Sequence, residues 1–246
     1  MTRGAALLVA AFVAAFALFL LATAPASLVA HFAPPALTLD GLSGSVWHGR
    51  AQRAAWRGVP LGAAEWTLSP LGLLTLAARG ELTVTGAAMN LQAGVSHGLF
   101  NDRFTVRDAR GTIPLALLSQ ISGAQGPLDA TAVLDGVSLT VDGNRVTDAG
   151  GRVTLADTRV TRPQPVALGA FTLDLSAADG WLQADVNDDG GPLGVSGRVR
   201  ATPDRRWDID ARVRARDADS DLARALSLLA RPDADGQYAL QLSGTY

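Results

Sequence analysis

From Leu37 onward the chain alternates between apolar and polar residues. Between Trp207 and Arg216 every odd position is apolar and every even one is charged. A period of two puts one set of side chains on each face of a strand, so this stretch predicts an antiparallel strand with one buried and one wet face. The same pattern recurs in Glu81–Thr85, Leu128–Leu134, Val153–Val160, Phe171–Leu175, Trp181–Val186, Gly194–Arg200 and Tyr238–Leu242. Turn-forming residues separate these runs: Asp142-Gly143-Asn144, Asp179-Gly180 and Asn187-Asp188-Asp189-Gly190-Gly191. Positive φ costs little for Gly and is tolerated by Asn and Asp, so these are hairpin signals. Strands following one another this closely predict a meander rather than βαβ units.

Three short stretches break the alternation and predict helices: Pro70–Leu76, Ile113–Ile121 and Asp219–Ala230. The last has Ser220 or Asp221 placed to cap it, leucines at 222, 226 and 229 on one face, and Pro232 just beyond its end. The layout repeats. Leu115, Leu118 and Ile121 precede a strand between Gly126 and Gly136, and Leu222, Leu226 and Leu229 precede one between Gly236 and Gly244. The pattern predicts two similar sheet-plus-helix units, 37–145 and 146–246, joined in one β layer, each helix covering apolar surface that strands alone would leave wet.

Residues 4–24 follow Arg3 and carry no charge. As a helix, a run of this length spans about 30 Å, enough to cross the hydrocarbon core of a bilayer. A cleaved signal peptide is the rival, since Ala22–Ala24 and Ala24–Ala26 are Ala-x-Ala triplets, but signal h-regions are usually shorter. The expected organisation is thus a membrane anchor or signal sequence over 1–26, a Pro34-Pro35 linker over 27–36, and an exported β domain over 37–246. Arg3 favours an N-terminus that stays in the cytoplasm.

All 21 basic residues are Arg, and every acidic residue except Glu65 and Glu81 is Asp. The net charge of −2 is spread along the chain, which argues against a nucleic-acid surface. With no Cys, disulfides, thiolate metal sites and Cys nucleophiles are excluded. His31, His48 and His97 lie outside metal-ligand spacing of one another, so no metal or cofactor site is predicted. Asn187–Gly191 lacks the alternating acidic ligands of a calcium loop and reads as a turn. Ser43-Gly44-Ser45 is not a nucleophile elbow. No catalytic residue emerges.

One cluster stands apart. Leu42-Ser43-Gly44-Ser45-Val46-Trp47-His48-Gly49-Arg50-Ala51 is followed by Leu61-Gly62 and then by Glu65-Trp66-Thr67-Leu68-Ser69-Pro70-Leu71-Gly72-Leu73-Leu74. Three of the five tryptophans, Trp47, Trp56 and Trp66, fall here and are expected to anchor the first hairpins. This cluster resembles type II secretion system protein N (general secretion pathway protein N). That family's pattern is G-T-x-W-x-G-x-A, a Leu-Gly, then W-x-L-x-P-x-x-L-L. Here Ser45 replaces the Thr. Gly44, Trp47, Gly49, Leu61, Gly62, Trp66, Leu68 and Pro70 match the motif and are expected to be structural.

The resemblance covers nearly the whole chain. It implies a single-pass inner-membrane protein of a Gram-negative bacterium with its C-terminal domain in the periplasm, a non-enzymatic accessory of the machine that exports folded proteins. The expected fold is mainly β: an N-terminal transmembrane helix, then a long antiparallel sheet curved into a half-barrel or trough, with two or three short helices. The expected partners are the inner membrane and other secretion subunits, reached through edge strands. The alternative is a periplasmic lipid carrier or lipid bridge of the AsmA-like or lipopolysaccharide-transport kind, in which Phe171, Leu173, Leu175, Ile209 and Val213 would line an open groove instead of packing shut. A carbohydrate-active enzyme would instead need a cleft with paired Asp side chains.

Overall fold

The computed structural model describes residues 22–70, 76–87, 89–98, 100–122, 128–161, 165–217, 220–229 and 232–245, with Phe12, Phe16, Phe19, Leu20 and Gly72 as isolated positions. The predicted anchor therefore lies mostly outside the described residues. Among the described residues, no helix is long and apolar enough to cross a membrane.

The fold is one open antiparallel sheet of 14 strands. The strands are β1 Leu37–Asp40, β2 Ser43–Gly44, β3 His48–Trp56, β4 Val59–Leu68, β5 Ala77–Thr85, β6 Asn90–Gly98 and β7 Arg103–Pro114. They continue with β8 Leu128–Asp142, β9 Arg145–Val160, β10 Val166–Ala178, β11 Trp181–Asp188, β12 Leu193–Ala201, β13 Arg206–Ala215 and β14 Tyr238–Thr245. From β3 to β14 each strand pairs with the next in sequence; β1 and the short β2 both pair with β3. This is the predicted meander.

The alternation sorts the sheet into two faces. A row of directly paired residues runs from Ala51 through Val84, Leu134, Val153, Leu173 and Val186 to Leu240, almost wholly apolar. One residue along, the other face carries Arg50 beside Glu65, then Asp135, Arg152 and Asp174, then Asp185, Arg198 and Asp210. Several close into cross-strand ion pairs, with Arg152 Nε 2.8 Å from Asp174 Oδ1 and Arg198 Nε 2.9 Å from Asp185 Oδ1. Each exposed pair contributes about 0–1 kcal/mol, so the row fixes register more than it adds stability.

Three short helices are described: α1 Ser27–Phe32, α2 Leu115–Ser122 and α3 Asp221–Leu229. α2 joins β7 to β8 and α3 joins β13 to β14, so the strand–helix–strand layout occurs twice, at the same end of the sheet. Each helix covers its own apolar cluster. Leu117 of α2 packs against the cluster that holds Ala51, Ala64, Val84 and Ile113. Leu222 and Leu226 of α3, one turn apart, pack against Leu168, Phe171 and Leu193. α2 touches β4 as well as β7 and β8. An eight-residue helix is about 12 Å long, and with its side chains it reaches from β8 back to β4. Register shifts interrupt β7, β8 and β10, where a bulge bends the strand locally.

The helix boundaries depart from the sequence expectation. Ile113 and Pro114 end β7, pairing with Ala132 and Thr131, and α2 begins at Leu115. The alternation Gly111-Thr112-Ile113 continues to the strand's end, and a buried Ile113 outweighs the helical signal. α3 starts with the Ser220 hydroxyl accepting the Ala223 N–H at 3.1 Å, as the cap predicts; Asp219 and Ala230 lie outside the described residues. Of the stretch Pro70–Leu76, residues 71 and 73–75 lie outside them too. Pro70 and Gly72 lie in a 3₁₀ turn, closed by the Gly72 N–H donating to the Ser69 carbonyl at 3.0 Å, while Leu76, with φ +55, is not helical. Segment 27–36, expected as a linker, carries α1, whose Val29 packs on the first cluster; the helix stops before Pro34. Asn187 and Asp188 belong to β11, so the turn after it begins only at Asp189.

Candidate functional site

Gly44, Trp47, Gly49, Trp66, Leu68 and Pro70 gather at the end of the sheet where β3 starts and β4 finishes, whereas Leu61 and Gly62 lie toward the opposite end, near the β3–β4 turn. β2 lies on β3 with Gly44 opposite Gly49, and on β3's other side Gly49 faces Trp66 of β4. Trp66 lies flat across Gly49: a methyl group added there would sit 2.4 Å from Trp66 Cζ2. Only a residue without a side chain lets the ring close down on the backbone. The indole Nε1–H donates to the Val46 carbonyl at 3.0 Å, which satisfies its one polar atom. Trp47 is buried beside it, and its carbonyl accepts the Leu68 N–H at 2.7 Å.

Between β2 and β3 the chain makes a tight turn. The Ser45 N–H donates to the His48 carbonyl at 2.9 Å, and the Ser45 hydroxyl accepts the His48 N–H at 3.1 Å. A Thr hydroxyl could do the same, so Ser in the Thr position of the motif keeps the chemistry. Leu61 and Leu68 pack on the first apolar cluster. Gly62 has φ +110 with its α-carbon pressed on β5, where a methyl group would lie 2.2 Å from the Thr85 carbonyl oxygen. Pro70 is exposed and follows the end of β4.

Sequence reasoning missed what this cluster holds. The Val46 N–H donates to the Ala24 carbonyl at 2.9 Å, and the Ala26 N–H donates to the Gly44 carbonyl at 3.1 Å. Pro25 and Ser45 form an isolated bridge. The backbone immediately after the apolar segment 4–24 is thereby clamped to the β2–β3 turn, and Ala26 is 2% exposed.

A surface hollow of about 300 Å³ lies over Gly44, Gly49 and Trp66, and its charged groups are Arg50 and Glu65, 3.9 Å apart. His48 and His97 are exposed and lie on different strands. Among the described residues, no three His, Asp or Glu side chains gather where a metal ion could bind.

Beyond the motif, Asp188 breaks the polar pattern. It continues the apolar face of β11 after Ala184 and Val186, opposite Phe171. It accepts the Gly190 N–H at 3.0 Å and the Val195 N–H at 3.2 Å, and forms an ion pair with Arg216. Its position in the alternation was the overlooked signal.

The family model described as Type II secretion system (T2SS), protein N matches residues 35–241. The chain belongs to that family. A Type II secretion system protein N from Klebsiella pneumoniae is 27% identical over 213 residues, covering 83% of this chain and 81% of the relative. No solved structure matches. For a protein N family member, the match begins at Pro35 and so takes in the whole motif cluster.

Proposed function

We propose that this chain is an accessory, non-enzymatic component of type II secretion. Segment 4–24 anchors it in the inner membrane, and the sheet stands in the periplasm as a scaffold for other secretion subunits. Family membership across 35–241 supports the machinery. The observation that carries the scaffold role is the edge strand β14. Its eight residues contain no charge and no Pro, and among the described residues it pairs with β13 alone. Leu240 and Leu242 are 36% and 47% exposed. Natural edges are normally blunted by charge, Pro or brevity. The opposite edge is: β1 has four residues, and its Asp40 sits 3.9 Å from Arg53. A long, neutral edge suits strand addition by a partner.

The test is co-purification of the inner-membrane secretion subunits with the tagged full chain. Leu242→Lys, which puts a charge on the edge, should abolish capture while leaving the thermal transition within a few degrees of wild type. Capture that survives Leu242→Lys removes β14 as the contact. No capture of any subunit by the wild type removes the scaffold role.

One observation favours the alternative reading, lipid carriage. Phe171 is buried, but Leu173, Leu175, Ile209 and Val213 are only half-buried, and the helices cover just one end of the apolar face. Mass spectrometry of the purified protein would find acyl lipid in stoichiometric amount if the open part of this face holds a chain.

A further inference from the structure

We infer that the apolar tips of β5 and the β6–β7 turn enter the interface of the bilayer that segment 4–24 crosses, so that the sheet stands on the membrane by one end. This rests on the reading of 4–24 as a membrane anchor. The clamp at Ala24–Ala26 fixes which end of the sheet that segment leaves from: the end where β3 starts and β4 finishes. At the same end, β5 begins at Ala77, opposite Gly98, whereas Leu68, the last residue of β4, pairs with Gly80. β5 and β6 therefore overshoot β4 by three residues, about 10 Å. Two large apolar side chains ride on the overshoot, Leu76 at 57% exposed and Phe100 at 82%. Phe100 lies three to four strand spacings from β3, about 15–19 Å across the sheet.

Charge gives the contact a boundary. Farther along the same end come Arg103 paired with Asp142, then Arg145, Asp179, Asp204 and Arg206. Next to the anchor the outermost large side chains are Leu76 and Phe100, with the exposed Arg79, His97 and Asp102 beside them, so the two apolar side chains go down while the charged groups stay in water or among headgroups. At the other end, the β3–β4 turn is Arg57-Gly58, and Leu118 and Leu128 are less exposed, at 37% and 45%. A side chain buried 5–10 Å into the headgroup boundary is typical of interfacial contacts. The overshoot is of that depth.

The chain has no Cys, so single labels are straightforward. The full chain is reconstituted in vesicles of phosphatidylethanolamine and phosphatidylglycerol, with a nitroxide at Phe16→Cys, Arg57→Cys, Leu76→Cys or Phe100→Cys. Collision with oxygen and with a water-soluble nickel chelate is then measured. Sites 76 and 100 should show chelate collision reduced several-fold relative to site 57, and site 16 should read as bilayer core. Adding Phe100→Asp should return the label at 76 to water while site 16 stays in the core. If 76 and 100 match site 57 while 16 reads as core, the interface contact is overturned and the anchor stands. If 16 itself reads as water, both fall.

Discussion

Trp66 has two separable roles at the cluster, a ring over Gly49 and an N–H for the Val46 carbonyl. Trp66→Phe keeps most of the ring and removes the donor, and should cost about 1 kcal/mol. Trp66→Ala also empties the space above Gly49 and should cost about 3–5 kcal/mol. Urea unfolding of the two variants measures the difference. Limited proteolysis should show cleavage near Ala24–Ala26 rising in the same order, because the Val46 turn holds that backbone. A second residue-scale prediction concerns Asp204. Its carboxyl is held below the ordinary Asp value by a hydrogen bond from the Thr202 hydroxyl, with Arg206 adding to the effect. A lowered folded-state value stabilises the fold at pH above the ordinary carboxylate range, about 3.9, and that stabilisation is lost as pH falls through the lowered value. In Thr202→Val the Asp204 midpoint should rise toward the ordinary value, which a carboxyl NMR titration would show.

At the scale of the element, α3 is a short helix whose stability comes from the surface it covers. Leu226→Ala should destabilise by about 2–3 kcal/mol, read by denaturant unfolding, because Leu226 packs against the cluster of Leu168, Phe171 and Leu193. Ser220→Ala removes the cap alone and should cost about 1 kcal/mol. The strands were legible because alternation has a single geometric meaning. The run at 207–216 became β13 within one residue at either end. α3 was legible because its cap and its leucines agree. α2 was misplaced by two residues because Ile113 satisfies a strand's inward position and a helix's apolar face equally well. Long-range partners leave no such periodic trace. Neither the Val46–Ala24 bond nor Asp188's ion pair with Arg216 follows from local pattern, since each joins segments that only the folded sheet brings together.

For the whole molecule, the neighbour-to-neighbour order means that the main strand contacts join neighbours in sequence. Two apolar clusters divide the sheet, one under α2 and one under α3. Such chains behave nearly one-dimensionally, and stability is local. Asp188→Ala leaves Arg216 without its partner and two backbone N–H groups without an acceptor, at about 1–3 kcal/mol. Hydrogen exchange should then lose protection in β10–β13 while β3–β7 keep theirs. A uniform loss would show a single cooperative unit.

The neutral edge at β14 has a consequence for stoichiometry. A strand that invites a partner also invites another copy of itself, and no Lys or Pro discourages the wrong match. Produced in excess of whatever covers that edge, the protein should zip into edge-to-edge oligomers. Its cellular level would then have to track that of its cover, and a cell lacking the cover would do better to degrade the chain than to keep it.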